Sequence, residues 1–510
     1  MENGMRAAWI VGVLLGLAMV SLPAAAAKPA PEAEPESPAD TARQALRLAF
    51  AQFRDGDIAA ADRGFAAVVA SSGFDALDDR EQYEVLALAG RLAGERGEPA
   101  RAHPLLVRAS GYAQAEGGIW HARLLAASAL DDDVDVARCV ARISRRWPQV
   151  LQEYDGWAIV RLASRLEERP EAAAEHRELL DALFDTGFNV GGESPDGLWL
   201  VLARLALEQD HVTRAAAVAR KIRAPRSVVA LHADRRFDRV VDDASRFALD
   251  AVIEADLARA RRVAEAAPDR LDPRTVLQRR LLDAGRFAEA LASADEVVAR
   301  VADGDGETHY ADFEKEYVWI LDHRAQALQG LGRWDEAVVQ QRRAARRPEN
   351  GRMNVSQALN LAWLYAELGR DEEALDAVED LGAPSPYGRM QLEMLRLMVA
   401  VQRRDAAAVE RHLAFMREHR DDAVATYQLA LAHADRADEA AALLIERLRS
   451  TDWRSDALSE VQAYLDVPAP PIKKARSARQ AAVAARADVR TAIAAVGHAG
   501  PPIALTAPGF

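Results

Sequence analysis

Three stretches of the sequence bring together side chains with chemistry to offer. The first is Asp303-Gly304-Asp305-Gly306-Glu307-Thr308, which runs on to Asp312 and Glu314. Asp303, Asp305 and Glu314 fall at the first, third and twelfth places of a calcium-binding loop. The sixth place, where the chain must turn sharply, holds Thr308 in place of glycine, and the fifth holds the long Glu307. This predicts an acidic connection between helices, with Asp303, Asp305 and Glu314 a weak calcium candidate and no metal centre expected. The second stretch is Glu193-Ser194, a carboxyl group beside a hydroxyl. The third is Glu175-His176, which lacks the second histidine that a zinc-binding HExxH helix requires. There is no phosphate-binding loop, no dinucleotide fingerprint and no Gly-x-Ser-x-Gly elbow. No cofactor is implied.

Composition narrows the classes further. The single cysteine, Cys139, sits in VARCVARI, an ordinary buried helical setting. It allows neither an internal disulfide nor a CxxC pair. Sixty-five basic residues against 79 acidic ones leave a formal charge of -14. Such a surface argues against nucleic acid as partner, because phosphate binding needs surplus Lys and Arg. Half of the 510 residues are apolar but only 6% are aromatic, and alanine, leucine, arginine and glutamate dominate. That composition favours helix over strand.

The N-terminal residues read as an export signal. Arg6 precedes a nearly continuous apolar run from Ala7 to Leu22, then Pro23 and four alanines. A secretory signal peptide over 1–27 is predicted, cleaved near Ala26 or Ala27. Glu2 weakens the basic start, and an uncleaved inner-membrane anchor is the alternative. No cysteine near the cleavage point permits lipidation, and no later segment is apolar enough to span. Residues 28–41, beginning KPAPEAEPESPA, form a Pro/Glu-rich linker. The expected location is the bacterial periplasm.

From about Ala42 to Leu465 the chain reads as helix after helix, and one motif recurs. Leu331-Gly332-Arg333-Trp334-Asp335-Glu336-Ala337 is followed by Leu368-Gly369-Arg370-Asp371-Glu372-Glu373-Ala374, with the glycines 37 residues apart. Related copies lie at Gly56, Gly97 and Gly285, with glycine replaced at Asp210 and Asp435. The glycine is expected to end one helix in the left-handed conformation. The alanine five places later allows close helix crossing, as does the small residue seven places earlier: Ala325, Ala362, Ala203, Gly90 and Ala49. Twelve places after the glycine, Ala344, Leu381, Val297, Ala109 and Val68 close the pair.

This pattern resembles the tetratricopeptide repeat, a helix-turn-helix unit of about 34 residues. The resemblance is good at Val318–Pro348, Gln357–Leu381, Asp272–Val301 and Trp199–Pro225, and weak at Ala122–Pro148, Trp157–Leu183, Gly388–Met416 and Ala423–Leu448; Gly285 to Gly332 spans 47 residues. It implies an all-α fold, a right-handed solenoid of about nine or ten helix pairs with irregular repeat lengths. It also implies a partner protein or peptide on the concave face of the first helices, where Asp322, Gln326, Gln329, Trp363 and Glu367 are expected to project. In relatives that clamp a terminal carboxylate these positions carry lysine, arginine and asparagine. Asn360 matches one of them, but Asp322 is acidic where lysine is required, so that ligand is not expected. Glu193-Ser194 also resembles the catalytic start of envelope lytic transglycosylases, but PDGLWLVLARLAL follows in place of their glycine-rich continuation.

Residues 466–510 differ. They open with prolines, become an Ala/Arg-rich helix carrying Arg476, Arg479, Arg486 and Arg490, and close in glycine and proline. They are expected to cap the array, dock on its acidic surface or form a tail. The function expected first is a non-enzymatic periplasmic adaptor. An accessory role in outer-membrane polysaccharide or protein export comes second, and an envelope enzyme third. Monomer and homodimer stay open.

Overall fold

The computed structural model describes residues 37–241, 248–304, 306–347 and 354–508. The predicted signal peptide, most of the predicted linker and Asp305 lie outside the described residues. Those that are described fold into α-helices joined by short turns, with isolated β-bridges only at Val190–Glu193 and Asp234–Gly497.

The chain divides into two compact units at Asp132. In the first, helix Pro38–Arg54 pairs with Ile58–Ala70, and Asp79–Glu95 pairs with Pro99–Ser110. Sequence chemistry sets the helix starts. Asp78 and Glu81 form a reciprocal capping box, each side chain accepting the other's backbone N–H. Leu46, Phe65, Leu86, Leu92 and Leu106 fill the core between these helices. Burying each such side chain contributes roughly 1.5–3 kcal/mol against leaving it in water.

The second unit runs from Asp133. Its hairpins include Asp196–Glu208 with Val212–Ala219, Asp272–Asp283 with Phe287–Ala302, and Phe313–Gly330 with Trp334–Ala345. They continue with Val355–Glu367 and Asp371–Asp376, Pro386–Gln402 and Ala406–Glu418, and Val424–His433 and Ala437–Arg449. Helix Arg454–Glu460 packs on Pro225–Ala233, so the end of this run of hairpins returns to the helix that follows the first of them. Two further helices, Pro471–Ala484 and Ala487–Val496, follow.

The elbows share one geometry. Gly56, Gly97, Gly285, Gly332 and Gly369 all have positive φ, and so do Asp131, Asp210, Arg404 and Asp435. At each, the next residue donates its N–H to a carbonyl five residues back, for example Arg333 to Leu328 (2.8 Å), His211 to Ala206 (2.8 Å) and Asp405 to Ala400 (2.9 Å). This is the Schellman closure of a helix end. The small residues at the crossings are fully buried: Ala61, Ala102, Ala215, Ala290, Ala337, Ala374 and Ala440 are each 0% exposed. A larger side chain there would force the two backbones apart. Asp131 and Arg404 mark elbows in stretches where the sequence motif is weakest.

A candidate protein-docking face on the second unit

Helix Phe313–Gly330 carries Asp322, Gln326 and Gln329, and helix Val355–Glu367 carries Asn360, Trp363 and Glu367. Asn360 is exposed, and Gln326, Gln329 and Trp363 are half-buried. Asp322 does not project as expected, for it is 1% exposed. Its Oδ1 accepts from Gln341 Nε2 and Asn360 Nδ2, both at 3.1 Å, and its Oδ2 accepts from Gln326 Nε2 at 2.7 Å. Burial raises its carboxyl pKa, against the opposing pull of those three amides and of Arg279. Amides from its own helix and from the next two hold this buried acid, so it ties the face together from beneath. Beside it, His323 is buried with Nδ1 3.3 Å from Gln278 Oε1, and burial pushes its pKa down to about 3.

Glu367 does not project either. It is 6% exposed, and Arg476 Nη2 donates to its Oε1 at 2.6 Å. The Arg476 guanidinium lies 5.9 Å from the Trp363 ring centroid. The cover is the helix Pro471–Ala484, which packs against Val355–Glu367, Val424–His433 and Ala437–Arg449. The docked tail thus buries an acid that the repeat register alone places on an open face.

The tail follows the elbows in order. Leu465 Cδ1 lies 2.8 Å from where a Gly285 Cβ would stand, Pro468 Cβ 3.7 Å from that of Gly332, and Ile472 Cδ1 3.9 Å from that of Gly369. Arg479 Nη1 then donates to the His433 carbonyl at 2.9 Å and its Nε sits 3.5 Å from Asp435. Arg486 pairs with Asp438 at 2.7 Å. Beyond Ala487–Val496, His498 N–H donates to the Ala233 carbonyl (2.8 Å), Leu465 N–H to Leu505 (2.9 Å) and Thr506 N–H to Asp283 (2.8 Å). Asp435 and Asp438 escape a sequence-only search because they look like worn repeat residues. The signal that could have found them was the arginine set at helical spacing in the tail.

The other sequence candidates differ in exposure and in partners. Asp303 and Glu314 are exposed, and Asp305 lies outside the described residues. Asp312, in the same loop, accepts the Leu271 and Asp272 N–H groups at 2.7 and 3.0 Å. Burial alone would raise its pKa; these amides override that and hold it low. Among the described residues no three His, Cys, Asp or Glu side chains converge as a metal site. Ser194 donates to Asp196 Oδ1 and accepts from Trp199 Nε1 at 3.0 Å, while Asp196 Oδ2 accepts the Arg223 and Ala224 N–H groups. Glu193 lies 4.0 Å from Arg259 and 3.9 Å from Arg280. Cys139 is 0% exposed. His176 is buried, which lowers its pKa to about 4.

Paired helices, left-handed elbows closed by the same hydrogen bond and buried alanines at fixed offsets decide the architecture. The repeats are tetratricopeptide-like. No protein-family model matches the chain, and no curated protein matches it. Among solved structures it is similar to the APC/C hetero-tetramer Cut9-Hcn1 at 13% identity, covering 90% of this chain and 96% of that one, with a TM-score of 0.23. It is similar to yeast Tom70 at 12% identity over 82% and 99%, with a TM-score of 0.25. The P58(IPK) TPR domain is similar at 12% identity over 80% and 100%, with a TM-score of 0.21. The repeat assignment rests on the elbows and crossings, not on these superpositions. Among the described residues no helix is long and apolar enough to cross a membrane.

Proposed function

We propose that this protein is a non-enzymatic adaptor of the bacterial periplasm that holds a protein partner on the inner face of its second unit. The observation that carries this reading is that the rim of this face already holds a polypeptide. An extended proline-bearing segment followed by a basic helix lies along successive elbows, fixed by Arg476–Glu367, Arg486–Asp438 and the bond from Arg479 to the His433 carbonyl. A surface able to order one segment in this way has the acids, the half-buried Trp363 and Gln329, and the exposed Asn360 to order another. The apolar run before Ala27 supports export.

The test is crosslinking and capture from the native envelope with the mature chain and with a Trp363→Ala/Gln329→Arg variant of unchanged helical content. One dominant protein, lost in the variant, is the expected result. Capture unaffected by the variant, or recovery of glycan fragments with no protein, would overturn the assignment.

A further inference from the structure

Helix Pro471–Ala484 is held more lightly than the repeats around it. Of its fourteen residues only Arg476 and Val483 are buried. Pro386–Gln402, by contrast, buries nine residues, among them Met390, Met394, Leu395, Leu397 and Met398. Few buried apolar contacts mark an element that opens locally at low cost. Beside Val483, which joins the apolar core, charge holds the helix and the turn after it: Arg476 on Glu367, Arg479 beside Asp435, and Arg486, which also pairs with Asp488, on Asp438. Two of those acids, Asp435 and Asp438, have side chains 74% and 93% exposed, so they remain open to an arriving cation. Arg476 Nη1 is buried without a hydrogen-bond acceptor, so the fit beneath the helix is incomplete.

We propose that the elbow rim of Gly369, Glu367, Asp435 and Asp438 is a docking groove for a basic, alanine-rich helix, with residues 471–484 its resident and displaceable occupant. This rests on the adaptor reading and names the chemistry of the partner's contacting segment. That segment is a helix presenting one arginine to Glu367 and Trp363, a second one turn on to the Asp435 elbow, and a further cation to Asp438. An apolar or acidic helix would leave Glu367 buried without its countercharge, which is costly. Tethering gives the tail a high effective concentration, so a partner must match its charges to compete.

The experiment uses the full mature chain and a fluorescein-labelled synthetic peptide of residues 466–486. Fluorescence anisotropy compares the wild type with Arg476→Glu/Arg486→Glu, which weakens the resident helix without touching the groove. The weakened chain should bind the peptide about tenfold or more tighter than the wild type, because the intramolecular competitor is weakened. Adding Glu367→Gln, which offers no charged partner to either the resident tail or the peptide, should abolish that gain. Hydrogen exchange on the wild type gives a second reading, in which amides of 473–484 should exchange at least tenfold faster than those of 390–402. Equal protection of the two helices makes residues 471–484 a permanent part of the core and overturns the proposal. So does a weakened chain whose tail is mobile yet binds no peptide. Partner capture without peptide binding would leave the adaptor reading standing and remove this one. Peptide binding without any captured partner would do the reverse.

Discussion

Gly330 and Gly332 are two residues apart and should fail for different reasons when substituted. Gly332 sits at φ +72°, and a Cβ there would meet only Pro468 Cβ at 3.7 Å, an ordinary contact. The penalty for a side chain is therefore conformational, about 1–2 kcal/mol for an L-residue in the left-handed region and more for a β-branched one. Asn tolerates that region, and the chain itself uses Asp210, Arg404 and Asp435 at equivalent elbows. Gly330 has ordinary helical geometry, but a Cβ on it would stand within 2.5 Å of the Phe287 ring. Gly330→Ala gains up to about 1 kcal/mol in helix propensity. It loses about 1–3 kcal/mol to overpacking, and with a rigid ring that close the overpacking should win. Hydrogen exchange across 313–345 measures each variant locally, which suits a repeat array that need not unfold as one unit. Gly332→Val should speed exchange by roughly thirtyfold, equivalent to about 2 kcal/mol at 1.4 kcal/mol per decade. Gly332→Asn should lie within a few-fold of wild type. Phe287→Leu should rescue Gly330→Ala and leave Gly332→Val unrescued. An Asn variant as damaging as Val, or a ring truncation that relieves Gly332→Val, would refute this division between backbone and packing.

Three further outcomes are expected. Asp322 has a raised pKa, so between the ordinary carboxylate range and that raised value the folded chain binds more protons than the unfolded one. Wild type should thus gain stability relative to Asp322→Asn as pH falls from neutral toward the ordinary carboxylate range, measured by parallel urea titrations; a constant gap contradicts the burial argument. His323 has the opposite sign: its pKa falls from 6.5 to about 3, so the unfolded chain binds the extra proton in that window and stability is lost on acidification. His323→Gln should remove up to about 1.4 kcal/mol per pH unit of that loss between pH 6 and 4, and an unchanged acid slope would count against it. Gly497 is in extended backbone, but a Cβ on it would stand 2.6 Å from Leu458 Cδ2. Gly497→Leu should free residues 497–506 for limited proteolysis while leaving the hairpins protected.

Much of this protein was legible as sequence, because its local rules are strict. A helix end needs a left-handed residue and a crossing needs a small one, so glycine and alanine at fixed offsets announce each hairpin wherever both survive. Gly285, Gly332 and Gly369, with Ala290, Ala337 and Ala374, needed no tertiary information. Where aspartate or arginine took the glycine's place, as at Asp131 and Arg404, the backbone adopted the same elbow without announcing it. Aspartate tolerates the left-handed region, whereas Arg404 holds it against its preference. The repeat register could rank Asp322 and Glu367 as inner-face residues, but it could not say that both are buried. Burial of Asp322 depends on Gln341 and Asn360 arriving from two other helices. Burial of Glu367 depends on Arg476, which is 109 residues away in the chain. The sequence determined the hairpins because each is closed by neighbours in the chain. Tertiary structure alone decided which acids stay in water and what lies on the face, because those outcomes depend on the array curling back and the tail settling on its elbows.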